Sequence, residues 1–195
     1  MLRIDTHLVI RSLTGRDEEC GDMGFIRMGP SHCLLALVDG LGHGPEAAEV
    51  ARQAVHFLES HSTLAPAELL NGMHEDLKGS RGAVASVCQL NLETGLMTYA
   101  GMGNVTAKIL GIHYASFVNG DGVIGYMMRR PRETTAELHP GEVFLMFSDG
   151  VSSNFPPVDL DHMLGDSADF IATEIMNRYG KKDDDASCLV ARCLR

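Results

Sequence analysis

The sequence predicts a segregated α+β fold, and three observations carry that reading. A helix with one face of small residues stands near residue 50. A long run of short strands, punctuated by turn dipeptides, fills residues 82–147. One further helix then precedes a last apolar strand. Strands, two helices, many strands, a helix and a strand do not alternate as βαβ units do. No internal repeat or linker interrupts the 195 residues, which are expected to form a single domain over 1–195.

Each element has its own justification. Residues 3–13 alternate loosely as a first strand, and residues 14–22 form a polar loop with two glycines. Residues 23–28 and 31–38 make a hairpin around Gly29-Pro30, a turn dipeptide. The second of these strands is apolar on both faces and is expected at the centre of a sheet. Helix 45–60 starts at Pro45, which suits the first helical position. Its Ala47, Ala48, Ala51, Ala54, Val55 and Leu58 recur at helical spacing, a face able to press closely on a sheet. Helix 66–78 has Pro66 near its start and Gly79 after its end.

Residues 82–91 and 96–102 read as a hairpin turning at Glu93-Thr94-Gly95. Residues 105–112 and 114–118 extend the meander. Asn119-Gly120-Asp121-Gly122 is a turn, and Gly125 to Thr135 a loop or short edge strand. Thr135–Leu138 and Glu142–Phe147 are expected to pair around His139-Pro140-Gly141. A helix over 167–179 and a strand over 186–194, closing the sheet, complete the chain. Met97, Met102 and Met146 lie in strands as core filler.

A net charge of −10 argues against a nucleic-acid surface, and the basic cluster Arg129-Arg130-Pro131-Arg132 is too small to reverse it. Five cysteines without C-x-x-C spacing suit reduced, buried thiols in a cytoplasmic protein. The N-terminus reaches Asp5 without the apolar segment of a signal peptide, and no stretch approaches the length of a membrane span.

The chemistry concentrates where apolar runs end in acid. Asp39-Gly40 follows Cys33 to Val38, Asp149-Gly150 follows Val143 to Phe147, and Asp183-Asp184-Asp185 precedes Cys188 to Val190. A carboxylate at a buried strand end is costly to desolvate unless a cation or hydrogen bonds compensate it. Strand ends gathered from distant parts of a sheet can fix hard oxygen ligands around a divalent metal, so the pattern points to metal-assisted hydrolysis. Taken singly, each motif also fits an ordinary turn or helix start. Gly40, Gly42 and Gly44 offer a second reading, a phosphate-cradling loop of a nucleotide-binding enzyme, which would require a parallel sheet.

An ordered set of stretches resembles the type 2C metal-dependent serine/threonine phosphatases in their bacterial SpoIIE-like branch. They are Glu19-Cys20-Gly21-Asp22, Val38 to Gly44, Gly82 to Ser86, Tyr99 to Asn104, Phe147 to Val151 and Asp184 to Ser187. The resemblance implies an αββα sandwich of two antiparallel sheets flanked by helices. It implies two divalent cations, Mn2+ or Mg2+, and attack on phosphorus by a hydroxide bridging them. Carried over, Asp39 bridges both ions, the Gly40 carbonyl binds one, and Asp149 and Asp184 bind the other. Asp22 sits in the site, on a metal or on its water. Glycine at 40 would let the carbonyl approach a metal unobstructed. Leu41 stands where eukaryotic relatives place a histidine, and His43 does not inherit that role. The implied substrate is a phosphorylated STAS-domain stressosome protein; the alternative within the same fold is an inactive binding module. Arg129, Arg130 and Arg132 are candidate contacts to an acidic or phosphorylated partner.

Overall fold

The computed structural model describes residues 1–155 and 162–194. In chain order the strands and helices are β1 (Ile4–Arg11), β2 (Asp22–Met28), β3 (His32–Gly40), α1 (Pro45–His61), α2 (Pro66–Asp76), β4 (Ala83–Asn91), β5 (Leu96–Met102), β6 (Thr106–Leu110), β7 (Ala115–Ser116), β8 (Gly122–Val123), β9 (Met127–Met128), β10 (Thr134–Glu137), β11 (Val143–Phe147), α3 (Ala168–Tyr179) and β12 (Ala186–Cys193). One sheet runs β1-β12-β11-β6-β7, the other β10-β5-β4-β3-β2, and β8-β9 form a small separate hairpin. Strand pairing in both sheets is antiparallel throughout. This removes the nucleotide-binding reading, which needs a parallel sheet with the glycine loop at a switch point.

The layers follow from the two-residue period of the strands. In β3, Leu34, Ala36 and Val38 pack with Ala51, Ala54 and Leu58 of α1 and Leu69, Leu70 and Met73 of α2. The alternate residues Cys33, Leu35 and Leu37 face the other sheet, meeting Phe144, Met146, Leu189 and Ala191. On the far side of that sheet, Leu145, Phe147, Cys188 and Val190 pack on Ile171, Ala172 and Ile175 of α3. A strand buried on both faces is the reason Cys33 to Val38 reads as unbroken apolar sequence. The result is the expected αββα order of layers. Each large aliphatic side chain buried in these interfaces contributes roughly 1.5–3 kcal/mol. Met97, Met102 and Met146 are all core residues.

Helix ends follow local chemistry. Pro45 and Pro66 occupy first-turn positions. Glu68 Oε2 accepts the Ala65 backbone N–H at 3.1 Å, and Ser167 Oγ accepts that of Phe170 at 3.2 Å.

Two local expectations are corrected and two are refined. Thr134–Glu137 does not pair with β11: it pairs with β5, whereas β11 lies between β6 and β12. The His139-Pro140-Gly141 turn therefore crosses from one sheet to the other, as does the β5–β6 connection. β12 does not close an edge but sits between β1 and β11. The polar loop contains a short 3-10 turn at Asp17–Glu19. Within Gly125 to Thr135, Met127–Met128 forms β9 and pairs with β8 just before the segment, while its end enters β10, a short edge strand as expected.

Candidate metal centre

The two sheets deliver their acidic strand ends to one place. Asp22 opens β2 and stands directly across from Asp39 near the end of β3. Asp149 follows β11 and Asp184 precedes β12, adjacent strands of the opposite sheet. Asp39, Asp149 and Asp184 line an open cleft of about 480 Å³, together with Leu41, His43, Asn104, Asn119 and Asp121. Its lining residues include no lysine or arginine.

Electrostatics in this cleft are unfavourable for bare carboxylates. Burial pushes the Asp39 carboxyl up to about 8, and the charges of Asp22, Asp149, Asp184 and Asp185 add to the shift. Burial also lifts Asp22 to about 6, against a hydrogen bond from Ser148 and with the help of Asp185 and Asp149. Asp184 is raised by burial and by Asp149. A group of hard oxygen donors that repel one another, without a neighbouring basic side chain in the cleft wall, fits a divalent cation of the Mg2+ or Mn2+ type.

The sequence-predicted residues separate into two tiers. Asp39, Asp149 and Asp184 reach the cleft. Asp22 is only 2% exposed and lies behind it, accepting the Ser148 hydroxyl hydrogen bond at 2.6 Å. Gly40 is buried and is not part of the wall. A Cβ at position 40 would stand 2.4 Å from the Ala47 carbonyl oxygen, so close packing of α1 demands glycine there. Gly42 and Gly44 have φ of +89° and +81°, which accounts for them as loop glycines without a phosphate.

Among the arginines, Arg129 reaches the rim, with Nη1 3.5 Å from Asp121 Oδ2. Arg130 and Arg132 are exposed but do not line the cleft. His43 does line it, from an exposed position.

Several residues that shape the site were not singled out in the sequence. Asn104 Nδ2 donates to Asp149 Oδ2 at 2.8 Å and fixes that carboxylate. Asn119 Nδ2 donates to the carbonyls of Gly103 and Val105, and its Oδ1 accepts the Tyr99 hydroxyl at 2.6 Å. Asn119 thereby ties together two loops of the cleft wall. Asp185, 5% exposed, accepts the N–H of Leu13 at 2.7 Å and of Gly21 at 2.8 Å. Its role is to anchor the loop that carries the chain into Asp22. Ser148 Oγ accepts the Ser187 N–H at 3.0 Å while donating to Asp22, joining β11, β12 and β2. The signal available for Asn119 was a buried tyrosine hydroxyl in need of a partner; nothing marked Asp185 apart from its neighbours.

Two stacked antiparallel sheets flanked by helices, with an oxygen-rich cleft at one end, have the fold of the type 2C phosphatases, a class of metal-dependent hydrolases. The chain belongs to the SpoIIE (stage II sporulation protein E) family, whose model matches residues 29–194. It is 27% identical over 169 residues to the phosphoserine phosphatase RsbX of Bacillus subtilis (strain 168), covering 85% of this chain and 83% of that protein. A chain solved in work on the bacterial stressosome as a modular system controlling secondary messenger signalling superposes with a TM-score of 0.90 at 30% identity. That match covers 97% of this chain and all of the other. RsbX in complex with magnesium superposes with a TM-score of 0.87 at 21% identity, covering 99% of this chain and all of that one. Among the described residues, no helix is long and apolar enough to cross a membrane.

Proposed function

We propose that this chain removes phosphate from phosphoserine or phosphothreonine on a STAS-domain protein of the stressosome. The observation that carries the reading is the charge of the cleft. Asp39, Asp121, Asp149 and Asp184 line it without a lysine or arginine among the lining residues. A phosphate ester would be repelled there unless cations intervened. The RsbX relative is named a phosphoserine phosphatase, and a 30%-identical chain was solved in work on the stressosome, which supports the substrate class.

Asp39, the Gly40 carbonyl, Asp149 and Asp184 would hold two divalent ions, Mg2+ or Mn2+. Bound ions supply a water of lowered pKa and neutralise the phosphoryl oxygens. The chain's own residues do the positioning. Asp39 presents its carboxylate from the end of a rigid central strand. Asn104 orients Asp149. Asp22, buried and held by Ser148, backs Asp39 from the paired position on β2. Arg129, Arg130 and Arg132 would meet the acidic or phosphorylated surface of the substrate, from outside the catalytic centre. The five free, buried cysteines fit a cytoplasmic enzyme.

Incubating the purified chain with a phosphorylated STAS-domain protein, with and without Mn2+, tests the reading. Release of inorganic phosphate only with the cation is expected, together with slower hydrolysis of p-nitrophenyl phosphate. Full release in excess chelator would refute metal dependence. Hydrolysis of the small ester with none of the phosphoprotein would refute the substrate class.

A further inference from the structure

A second convergence of ligating side chains lies far from the acidic cleft. His113 belongs to the loop after β6, His139 to the turn between β10 and β11, and Glu142 directly precedes β11. Their ligating atoms all lie within 4.8 Å of one another. Asp149 follows the opposite end of β11, about 20 Å away at strand rise.

The carboxylate of this cluster is fixed in advance. Glu142 is 1% exposed. Its Oε1 accepts the His113 backbone N–H at 2.9 Å, and its Oε2 accepts that of His139 at 2.9 Å. The two loops that carry the imidazoles thus also hold the carboxylate between them. His113 Nδ1 lies 2.9 Å from the same Oε1, and the two imidazole rings are 4.8 Å apart between centroids. Glu137 Oε2 stands 3.8 Å from His139 Nε2, a second carboxylate at the rim. Gly111 makes the room, because a Cβ there would lie 2.8 Å from Glu142 Cγ. Both histidines keep exposed side chains, 65% and 43%, so an ion has a path in.

A lone His–Glu hydrogen bond at a surface would need none of this convergence. Two imidazoles and a carboxylate, with water or Glu137 completing four ligands, are the donor set of zinc and other late first-row divalent ions. The acidic cleft, whose ligands are all oxygens, favours harder cations. We propose that His113, His139 and Glu142 form a second metal site, selective for Zn2+ over Mg2+, that clasps the β6–β7 loop to the β10–β11 turn. β6 and β10 belong to different sheets, so an ion there would cross-link the sandwich at the end opposite the catalytic cleft.

Titrating the full chain with Zn2+ in saturating Mg2+, which keeps the cleft filled, tests this directly. Side-chain imidazole resonances report the site, with the remaining histidines as internal controls. The first equivalent of Zn2+ should shift the rings of His113 and His139 before the others and raise the melting temperature. The double variant His113→Ala/His139→Ala should bind that equivalent at least ten-fold more weakly. Neither side chain is buried in the core, so the variant should keep its fold and its Mg2+-supported hydrolysis of p-nitrophenyl phosphate. No early shift of these two rings, or unchanged first-equivalent affinity in the double variant, would overturn the site. So would Zn2+ that only inhibits hydrolysis by displacing Mg2+ in the cleft.

Discussion

Asp39 is buried among other acids, and its carboxyl is pushed from the ordinary 3.8 to about 8. The folded, metal-free protein therefore holds this proton more tightly than the unfolded chain does. Stability from that proton is complete below the unfolded value and is lost as pH rises through the folded one. Asp22, raised to about 6, acts with the same sign over the lower part of the window. Metal-free protein should lose melting temperature between about pH 5 and pH 8, a loss that Mn2+ reverses. Asp39→Asn should flatten that decline and be more stable than the parent at pH 8 without metal. It should also lose turnover by about a thousand-fold, the scale of removing a principal electrostatic contribution to a transition state. Wild-type turnover at saturating Mn2+ would remove Asp39 from the centre. Asn104→Ala frees Asp149 from its 2.8 Å hydrogen bond. The half-saturating Mn2+ concentration should rise about 10–100-fold, as for other partners that orient metal ligands. An unchanged Mn2+ dependence would show that Asp149 needs no such support.

The packing of α1 on β3 sets how Asp39 is presented. Gly40→Ala would place a methyl 2.4 Å from the Ala47 carbonyl oxygen, where backbone and not a flexible side chain must yield. A stability loss of about 1–3 kcal/mol is expected, measured by urea denaturation, with Mn2+ affinity falling alongside. Loss of Mn2+ affinity at unchanged stability would instead implicate the Gly40 carbonyl alone. The elements themselves were readable: the Ala-rich face of α1, the Gly29-Pro30 turn and the Glu93-Thr94-Gly95 turn all match the structure. Sheet membership was not readable. A turn such as His139-Pro140-Gly141 has the same sequence signature whether the chain doubles back or crosses to a facing sheet, since both strands alternate identically. The strand-end acids were legible as a group because each follows or precedes an apolar run. Asp183-Asp184-Asp185, however, stand in the bend before β12, where no strand period assigns a side to each residue. The path of that bend decides that Asp184 lines the cleft and that Asp185 turns inward to Leu13 and Gly21.

At the scale of the molecule, a protein of net charge −10 must meet a substrate whose phosphorylated surface is also negative. Arg129, beside Asp121 on the cleft rim, and the exposed Arg130 and Arg132 are positive charges carried by the segment after β9. The Arg129–Asp121 pair is almost fully exposed, so it contributes little to stability, at most about 1 kcal/mol. Its guanidinium is correspondingly free to exchange Asp121 for an incoming acidic group. Charges on such a rim act mainly on the rate of encounter, over a screening length of about 10 Å at 0.1 M salt. Replacing Arg129, Arg130 and Arg132 together by alanine should lower kcat/KM on a phosphoprotein by about ten-fold at low salt and flatten its dependence on ionic strength. Hydrolysis of p-nitrophenyl phosphate should change by less than about two-fold, because a small ester gains little from steering and the cleft residues stay in place. Stopped-flow or initial-rate measurements at several salt concentrations on both substrates separate the outcomes. Equal losses on the two substrates would place these arginines in support of the cleft itself, and no loss on either would leave them as solvated surface.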